Sequence, residues 1–207
     1  MNAKPPTDLV SARQRILDTA AGLFYEHGFH AVGVDLVIER AGVAKTTLYR
    51  HFGSKDDLIV AYLTAANERF WAWFYSSIDP AAPARDQLVA LFDAVQKLAT
   101  GQACLGCAFQ VTAAEFPQHD HPGHTVALAH KQAVRAGLRA LAAEAGAINP
   151  GALADGLLLV MDGAFAAARM YRRSSPAGIV ADTARVLIDA HTPVGGRPQR
   201  KEPTTPR

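Results

Sequence analysis

Apolar residues recur at intervals of three and four positions along most of this chain, as they do on one face of an α-helix. The first such run contains Ile16, Leu17, Ala20, Leu23 and Phe24. No run alternates strictly between apolar and polar residues, and no Asn-Gly or Asp-Gly pair joins two alternating runs as in a β-hairpin. The pattern therefore predicts an all-α fold.

Capping residues and glycines mark where the helices begin and end. Ser11, followed by Gln14, has the spacing of an N-terminal capping box, and Gly28 ends the same helix. Ser54 is placed to cap a long helix further along the chain. The signals that follow Gly28 predict helices over residues 34–41, 46–52, 55–78, 85–100, 106–117, 122–146, 150–173 and 176–191.

The helices group into two domains of unequal size. The first three are short and separated by single glycines, which is typical of a helix-turn-helix domain. The last stretch of the chain holds four prolines, two glycines and four basic residues against one Glu, a composition that favours disorder. We predict a flexible N-terminal arm (1–10), a helix-turn-helix domain (11–53), a domain of about six helices (54–191) and a disordered tail (192–207).

The turn between the second and third helices is Ala41-Gly42-Val43, in which Gly42 can adopt the positive φ that ends a helix sharply. In the next helix Leu48 and Phe52 are four positions apart, so they face inward together. The remaining side chains of that helix face outward, and they are Lys45, Thr46, Thr47, Tyr49, Arg50 and His51.

Positive charge is concentrated in this third helix. Residues 44–55 include three basic residues and no acid, whereas the whole chain has a net charge of only +2. Lysine and arginine bind phosphates, and Thr and Arg can contact base edges. The segment therefore favours DNA binding, with two copies in a dimer reaching major grooves about 34–36 Å apart. The alternative is an ordinary solvated amphipathic helix.

The stretch from Arg15 to Leu58, including Ala41-Gly42-Val43-Ala44-Lys45-Thr46-Thr47-Leu48-Tyr49-Arg50-His51-Phe52-Gly53, resembles the amino-terminal domain of the tetracycline-repressor (TetR) family. The resemblance implies that the later helices bind a ligand and dimerise, the last two forming a four-helix bundle with a second subunit. Gly33 departs from the Thr or Ser that often caps the second helix in the family, which removes one phosphate contact. The resemblance implies base or phosphate contacts from Lys45, Thr46, Thr47 and Arg50, and phosphate contacts from Tyr49, His51 and Lys55.

Large apolar side chains occur on several of the later helices, interleaved with Gly and Ala. Most such residues form the core of a protein, but as a set they can also line a cavity between helices. The candidate ligand-binding residues are Trp71, Phe74, Phe109, Phe116, Met161, Asp162 and Phe165.

The stretch from Gly151 to Tyr171 is about long enough to span a bilayer. It contains Asp155, Asp162 and Arg169, which are costly at the centre of a membrane, so we interpret it as a buried helix of a soluble protein. The carboxylates should face water, a polar pocket or a partner subunit. Two glycines spaced by seven residues, which allow close helix packing, are candidates for the dimer interface, with packing inside the subunit as the alternative: Gly156 and Gly163.

The two cysteines, Cys104 and Cys107, precede His119 and His124 at intervals close to those of a zinc finger. Pro122 separates the histidines, which a finger places on one helix, so we predict no metal and no cofactor. A redox-sensing regulator that uses the cysteine pair remains an alternative. A thiol-disulfide enzyme would need the pair in a βαβ setting, and no strand is predicted, so we expect no enzyme activity.

We expect a transcriptional repressor that binds a palindromic double-stranded operator as a homodimer and is released by a small-molecule effector. The start, MNAKPPTDLV, lacks the apolar run of a signal peptide, so we expect a cytoplasmic protein without a membrane anchor.

Overall fold

The computed structural model describes residues 11–192, which contain nine α-helices, two 3₁₀ turns and no strand. The all-α prediction is confirmed. The predicted arm (1–10) and all of the predicted tail except Thr192 lie outside the described residues. The helices are α1 Ala12–His27, α2 Val34–Ala41, α3 Lys45–His51, α4 Lys55–Ser76, α5 Ala84–Thr100, α6 Ala108–Glu115, α7 Pro122–Glu144, α8 Pro150–Tyr171 and α9 Val180–His191.

Most helix ends follow the capping signals. The Ser11 hydroxyl accepts a hydrogen bond from the Gln14 backbone N–H at 3.2 Å, as predicted. The Gln14 side chain does not complete the capping box, because it donates to Asp18 instead. α9 begins at Val180, four residues later than predicted, because Pro176–Ile179 forms a 3₁₀ turn. Thr192 is buried and donates its hydroxyl to the Ile188 carbonyl, so the described chain extends one residue into the predicted tail.

The buried residues form two cores. The N-terminal core contains the apolar residues of α1, α2 and α3 together with Phe109 and Phe116 from the region of α6. The C-terminal core is built from α5, α7, α8 and α9. α4 belongs to both, since its first half (Leu58 to Leu63) lies in the N-terminal core and Phe74 lies in the C-terminal core. α4 therefore connects the two cores.

α8 is apolar on two opposite faces. Its span Pro150–Ser174 is long and apolar enough to cross a membrane, a test that the core helix of a soluble protein also passes. One face, which includes Leu157 and Met161, is buried in the C-terminal core. On the other face Leu159 is 72% exposed and Met170 is 75% exposed. The predicted buried helix is thus buried on one face only.

Candidate nucleic-acid interface and ligand cavity

The third helix is held by its apolar face, as the sequence predicts. Gly42 has φ +62° and its N–H reaches the carbonyls at the end of α2, so the chain turns sharply into α3. Leu48 is completely buried and Phe52 is 3% exposed. The guanidinium of Arg13 lies 5.2 Å from the centre of the Phe52 ring on its outer side, a cation–π contact. α3 is therefore a rigid element with one face available.

The available face of α3 is basic and hydroxyl-bearing. Lys45, Thr46, Tyr49 and Arg50 are exposed. Lys45 Nζ lies 3.4 Å from Asp35 Oδ1, but both side chains are well exposed and such a pair is weak in water. Among the predicted contact residues, the half-buried ones are Thr47, His51 and Lys55.

Lys55 has an internal partner. Its ammonium donates to the Phe29 carbonyl at 2.6 Å, which ties the start of α4 to the segment between α1 and α2. Its predicted phosphate contact would have to share the ammonium with this carbonyl. Gly33 is the N-cap of α2 and supplies no side-chain hydrogen bond, as expected where the family often has Thr or Ser.

A set of contacts joins the end of α6 to the helix-turn-helix domain, and we call it the α6 clamp. The Glu115 carboxylate accepts hydrogen bonds from the backbone N–H groups of Phe29 at 2.8 Å and His30 at 2.7 Å. The His30 ring nitrogen Nε2 lies 2.8 Å from the Glu115 carbonyl oxygen. Gly28 has φ +84°, and a Cβ there would lie 2.3 Å from the Glu115 carboxylate. The clamp was not predicted from the sequence.

Phe116 belongs to the α6 clamp rather than to a ligand cavity. It packs near His30 and Phe29 in the N-terminal core. The His121 ring stacks on it at 3.9 Å, and His121 Nε2 lies 3.6 Å from Asp56 Oδ1. The clamp thus extends to the first turn of α4.

A cavity of about 560 Å³ lies between α1, α4, α6, α7 and α8. Three of the candidate ligand residues line it, namely Phe109, Met161 and Phe165. Trp71 and Phe74 do not, because Trp71 packs over Gly137 of α7 and Phe74 is buried in the C-terminal core. Asp162 does not line the cavity either but pairs with Lys131. The lining residues that were not among the candidates include Tyr25, Tyr62, Arg69, Phe70, Trp73, His130 and Lys131.

The buried polar groups of the cavity are uncharged at neutral pH. His130 is 4% exposed, stacks on Phe109 with 3.6 Å between ring centres, and places Nδ1 2.7 Å from Asn67 Oδ1. Burial, with a smaller contribution from the charge of Lys131, lowers the pKa of the His130 imidazole to about 4. Burial also raises the pKa of the Tyr62 phenol above its ordinary value. Hydrogen-bonding groups without charge therefore sit deep in the cavity.

The cysteines are free thiols. Cys104 is buried and Cys107 is half-buried in the wall of the cavity. Within residues 11–192, no three His, Cys, Asp or Glu side chains are arranged to hold a metal ion. The hydroxyl of Tyr25, from α1, accepts a hydrogen bond from the Leu105 N–H at 2.8 Å in the same loop.

The two candidate dimer glycines differ in their surroundings. A Cβ built on Gly156 would lie 3.5 Å from Leu187 of α9, so this glycine packs within its own subunit. Gly163 has no atom within 4 Å of the equivalent position. It lies on the exposed face of α8 between Leu159 and Met170, and exposed Val186 is on α9. Gly163 is therefore the better placed of the two for a partner subunit.

Comparison with known proteins places the chain in a family. Residues 16–62 match the family model described as bacterial regulatory proteins, tetR family. The transcriptional activator FasR of Mycolicibacterium smegmatis is 45% identical over 25% of this chain and 23% of its own length. The repressor KstR2 of Mycobacterium tuberculosis is 31% identical over 40% of this chain and 41% of its own length. These two matches therefore span less than half of the curated relatives.

Solved structures match over nearly their whole length, and one of them is also similar in sequence along most of the chain. The crystal structure of SCO4454, a TetR-family transcriptional regulator from Streptomyces coelicolor, superposes with a TM-score of 0.83. The two chains are 32% identical over 87% of this chain and 96% of that one. The similarity covers both the helix-turn-helix and the later helices, and we conclude that this chain belongs to the TetR family.

Proposed function

We propose that this protein is a transcriptional repressor that binds a palindromic operator as a homodimer and is released by a small-molecule effector. The observation that carries the proposal is α3, whose buried Leu48 and Phe52 hold an exposed face with Lys45, Thr46 and Arg50. KstR2 is named a repressor and FasR an activator. We propose repression because it is the usual mode of the family. We propose that the protein binds its operator in the cytoplasm.

The side chains on α3 suit two kinds of DNA contact. Lysine contributes a positive charge for phosphates but no sequence information. The Arg50 guanidinium can donate two parallel hydrogen bonds to O6 and N7 of guanine, which is the commonest base-specific contact in the major groove. Thr46 adds a hydroxyl and a methyl group. We therefore assign base recognition chiefly to Arg50 and orientation on the phosphates to Lys45.

The exposed apolar face of α8 and α9 supports a homodimer. Leu159, Gly163 and Met170 follow helical spacing on α8, and Val186 is 68% exposed on α9. Large exposed apolar residues in a row mark interaction surfaces more often than single ones do. Because a two-fold axis brings the same patch together on both subunits, one face is enough to form the interface.

The position of the cavity beside α4 and α6 supports release by an effector. α4 contributes Tyr62, Arg69 and Phe70 to the cavity and continues into the N-terminal core. α6 lines the cavity with Phe109 and holds the helix-turn-helix domain through Glu115. A ligand that favours a different spacing of these helices would shift the population towards dimers whose α3 helices no longer match the groove spacing.

A mobility-shift assay with DNA from upstream of the protein's own gene tests the proposal. Wild-type protein should retard a palindromic duplex, and Arg50→Ala should abolish the shift without changing the helical circular dichroism spectrum. Arg139→Ala, which removes an exposed arginine on α7, is the matched control and should bind as the wild type does. Equal binding by Arg50→Ala and Arg139→Ala would show that α3 is not the DNA-reading helix.

A further inference from the structure

The charges on the cavity wall are all of one sign. Arg69 and Lys131 line the cavity, and no Asp or Glu is among its lining residues. The Lys131 ammonium already pairs with Asp162 behind the wall. In the part of the chain that the structure describes, no carboxylate lies within 4 Å of the Arg69 guanidinium. Arg69 is therefore the cation that is available to a ligand.

Several aromatic side chains lie on the rest of the cavity wall, among small and aliphatic residues. Phe70 and Trp73 approach from α4, and the stacked pair of Phe109 and His130 approaches from α6 and α7. Such rings favour offset or edge contacts with other rings. Because Nδ1 of His130 donates to Asn67, Nε2 is a hydrogen-bond acceptor on an uncharged ring. The wall therefore suits a planar apolar body with few polar groups.

We propose that the effector is an aromatic acid, ionised at neutral pH, whose rings fill the cavity while its anionic group binds Arg69 at the rim beside Lys131. This inference rests on the proposed function and specifies the chemistry of its ligand. An arginine guanidinium pairs with two oxygens of a carboxylate or a sulfonate through charge-assisted hydrogen bonds, which a neutral ligand cannot accept with equal strength. An organic cation could lie against the faces of these rings, but the Arg69 guanidinium would repel it, and no carboxylate among the described residues lines the cavity to pair with it.

Two fluorescent probes of matched shape test the proposal on the full-length dimer. Anilinonaphthalene sulfonate (ANS) is an aromatic acid, and N-phenylnaphthylamine (NPN) has the same two ring systems without the acid group. The wild type should bind ANS more tightly than NPN. Because Arg69 is exposed at the rim, where water weakens an ion pair, Arg69→Gln should weaken ANS binding by about three- to fivefold. The same variant should change NPN binding by less than about twofold.

Two further variants locate the effect. Arg139→Gln removes an arginine that does not line the cavity and should alter neither affinity. Ala66→Trp places a large ring in the cavity wall and should weaken both probes, which shows that they bind there rather than on the exposed face of α8. Equal losses for ANS and NPN in Arg69→Gln, or tighter binding of NPN by the wild type, would overturn the acid assignment.

The outcomes for the effector class and for the proposed function can be told apart. If the wild type prefers ANS through Arg69 but never binds an operator duplex, the proposed acid-binding site is supported and the proposed repressor function is refuted. If NPN releases the wild type from its operator as readily as ANS does, the proposal of a ligand-released repressor is supported and the proposal that the effector is an aromatic acid is refuted.

Discussion

Removal of the Glu115 carboxylate should loosen the helix-turn-helix domain from the rest of the molecule. Glu115 accepts two hydrogen bonds from the backbone N–H groups of Phe29 and His30, at 2.8 and 2.7 Å. A hydrogen bond to a charged group contributes about 1.5–3 kcal/mol. Because the carboxylate is half-buried and water can partly replace it, we halve that figure for each bond and expect Glu115→Ala to cost about 1.5–3 kcal/mol.

Two measurements test this magnitude. For a chain of this size, 1 kcal/mol corresponds to about 2–4 °C in melting temperature, so Glu115→Ala should melt roughly 3–12 °C below the wild type. The amide protons of Phe29 and His30 should also exchange faster, because local opening no longer breaks a bond to the carboxylate. Glu144→Ala, at the exposed end of α7, removes the same charge and is the control. Melting within about 1 °C of that control, with unchanged exchange at residues 29 and 30, would refute the clamp.

Three further predictions concern the cavity, the dimer and the cysteines. Folding favours the neutral form of His130, so its contribution to the free energy of unfolding is full above pH 6.5 and is lost as the pH falls towards 4. The lost stability amounts to at most about 3 kcal/mol. Urea unfolding at several pH values should therefore show a smaller loss of stability in acid for His130→Gln than for the wild type. Leu159→Asp should yield monomers by analytical ultracentrifugation, and Gly163→Leu should weaken the dimer, whereas dimers of unchanged affinity in both variants would exclude this face. Peroxide should affect operator affinity equally in the wild type and in the double variant Cys104→Ser, Cys107→Ser, and a response confined to the wild type would favour the redox-sensing alternative.

The sequence was informative wherever a local pattern determines the structure. The spacing of Leu48 and Phe52 set which face of α3 is buried, because a helix places residues four apart on one side. Gly42 has the left-handed conformation that a sharp turn between helices needs. These features depend on neighbours within a few residues, so one sequence was enough to predict them.

The lining of the cavity could not be read in the same way. α4 contains Phe70, Trp71, Trp73 and Phe74, whose aromatic rings together spread over nearly half of its circumference. Spacing alone cannot say which of these faces the cavity, and in the structure Phe70 and Trp73 do while Trp71 and Phe74 do not. The choice depends on how α7 packs against α4, which involves contacts between distant parts of the chain.

The α6 clamp shows a second limit. Glu115 lies 86 positions after Phe29, and its partners are backbone N–H groups that every residue except proline possesses. No residue near Phe29 indicates by its type that such a contact forms. A carboxylate at the end of a short helix was therefore indistinguishable, in sequence, from an ordinary surface charge.

The composition of α8 reflects its two apolar faces, one of which is buried in the core while the other is exposed. Asp155 pairs with Arg135 and Asp162 with Lys131, so α7 compensates the charge of both carboxylates. Insertion into a bilayer would bring these charges into lipid, which is costly. A protein partner on the opposite face leaves the ion pairs with α7 unchanged. Burial of a leucine side chain such as Leu159, 72% exposed in the single subunit, contributes about 1.5–3 kcal/mol, and a two-fold axis doubles every such gain. An apolar helix with paired carboxylates on its α7 side and an uncovered apolar face opposite its core is therefore better matched by a second copy of the chain than by lipid.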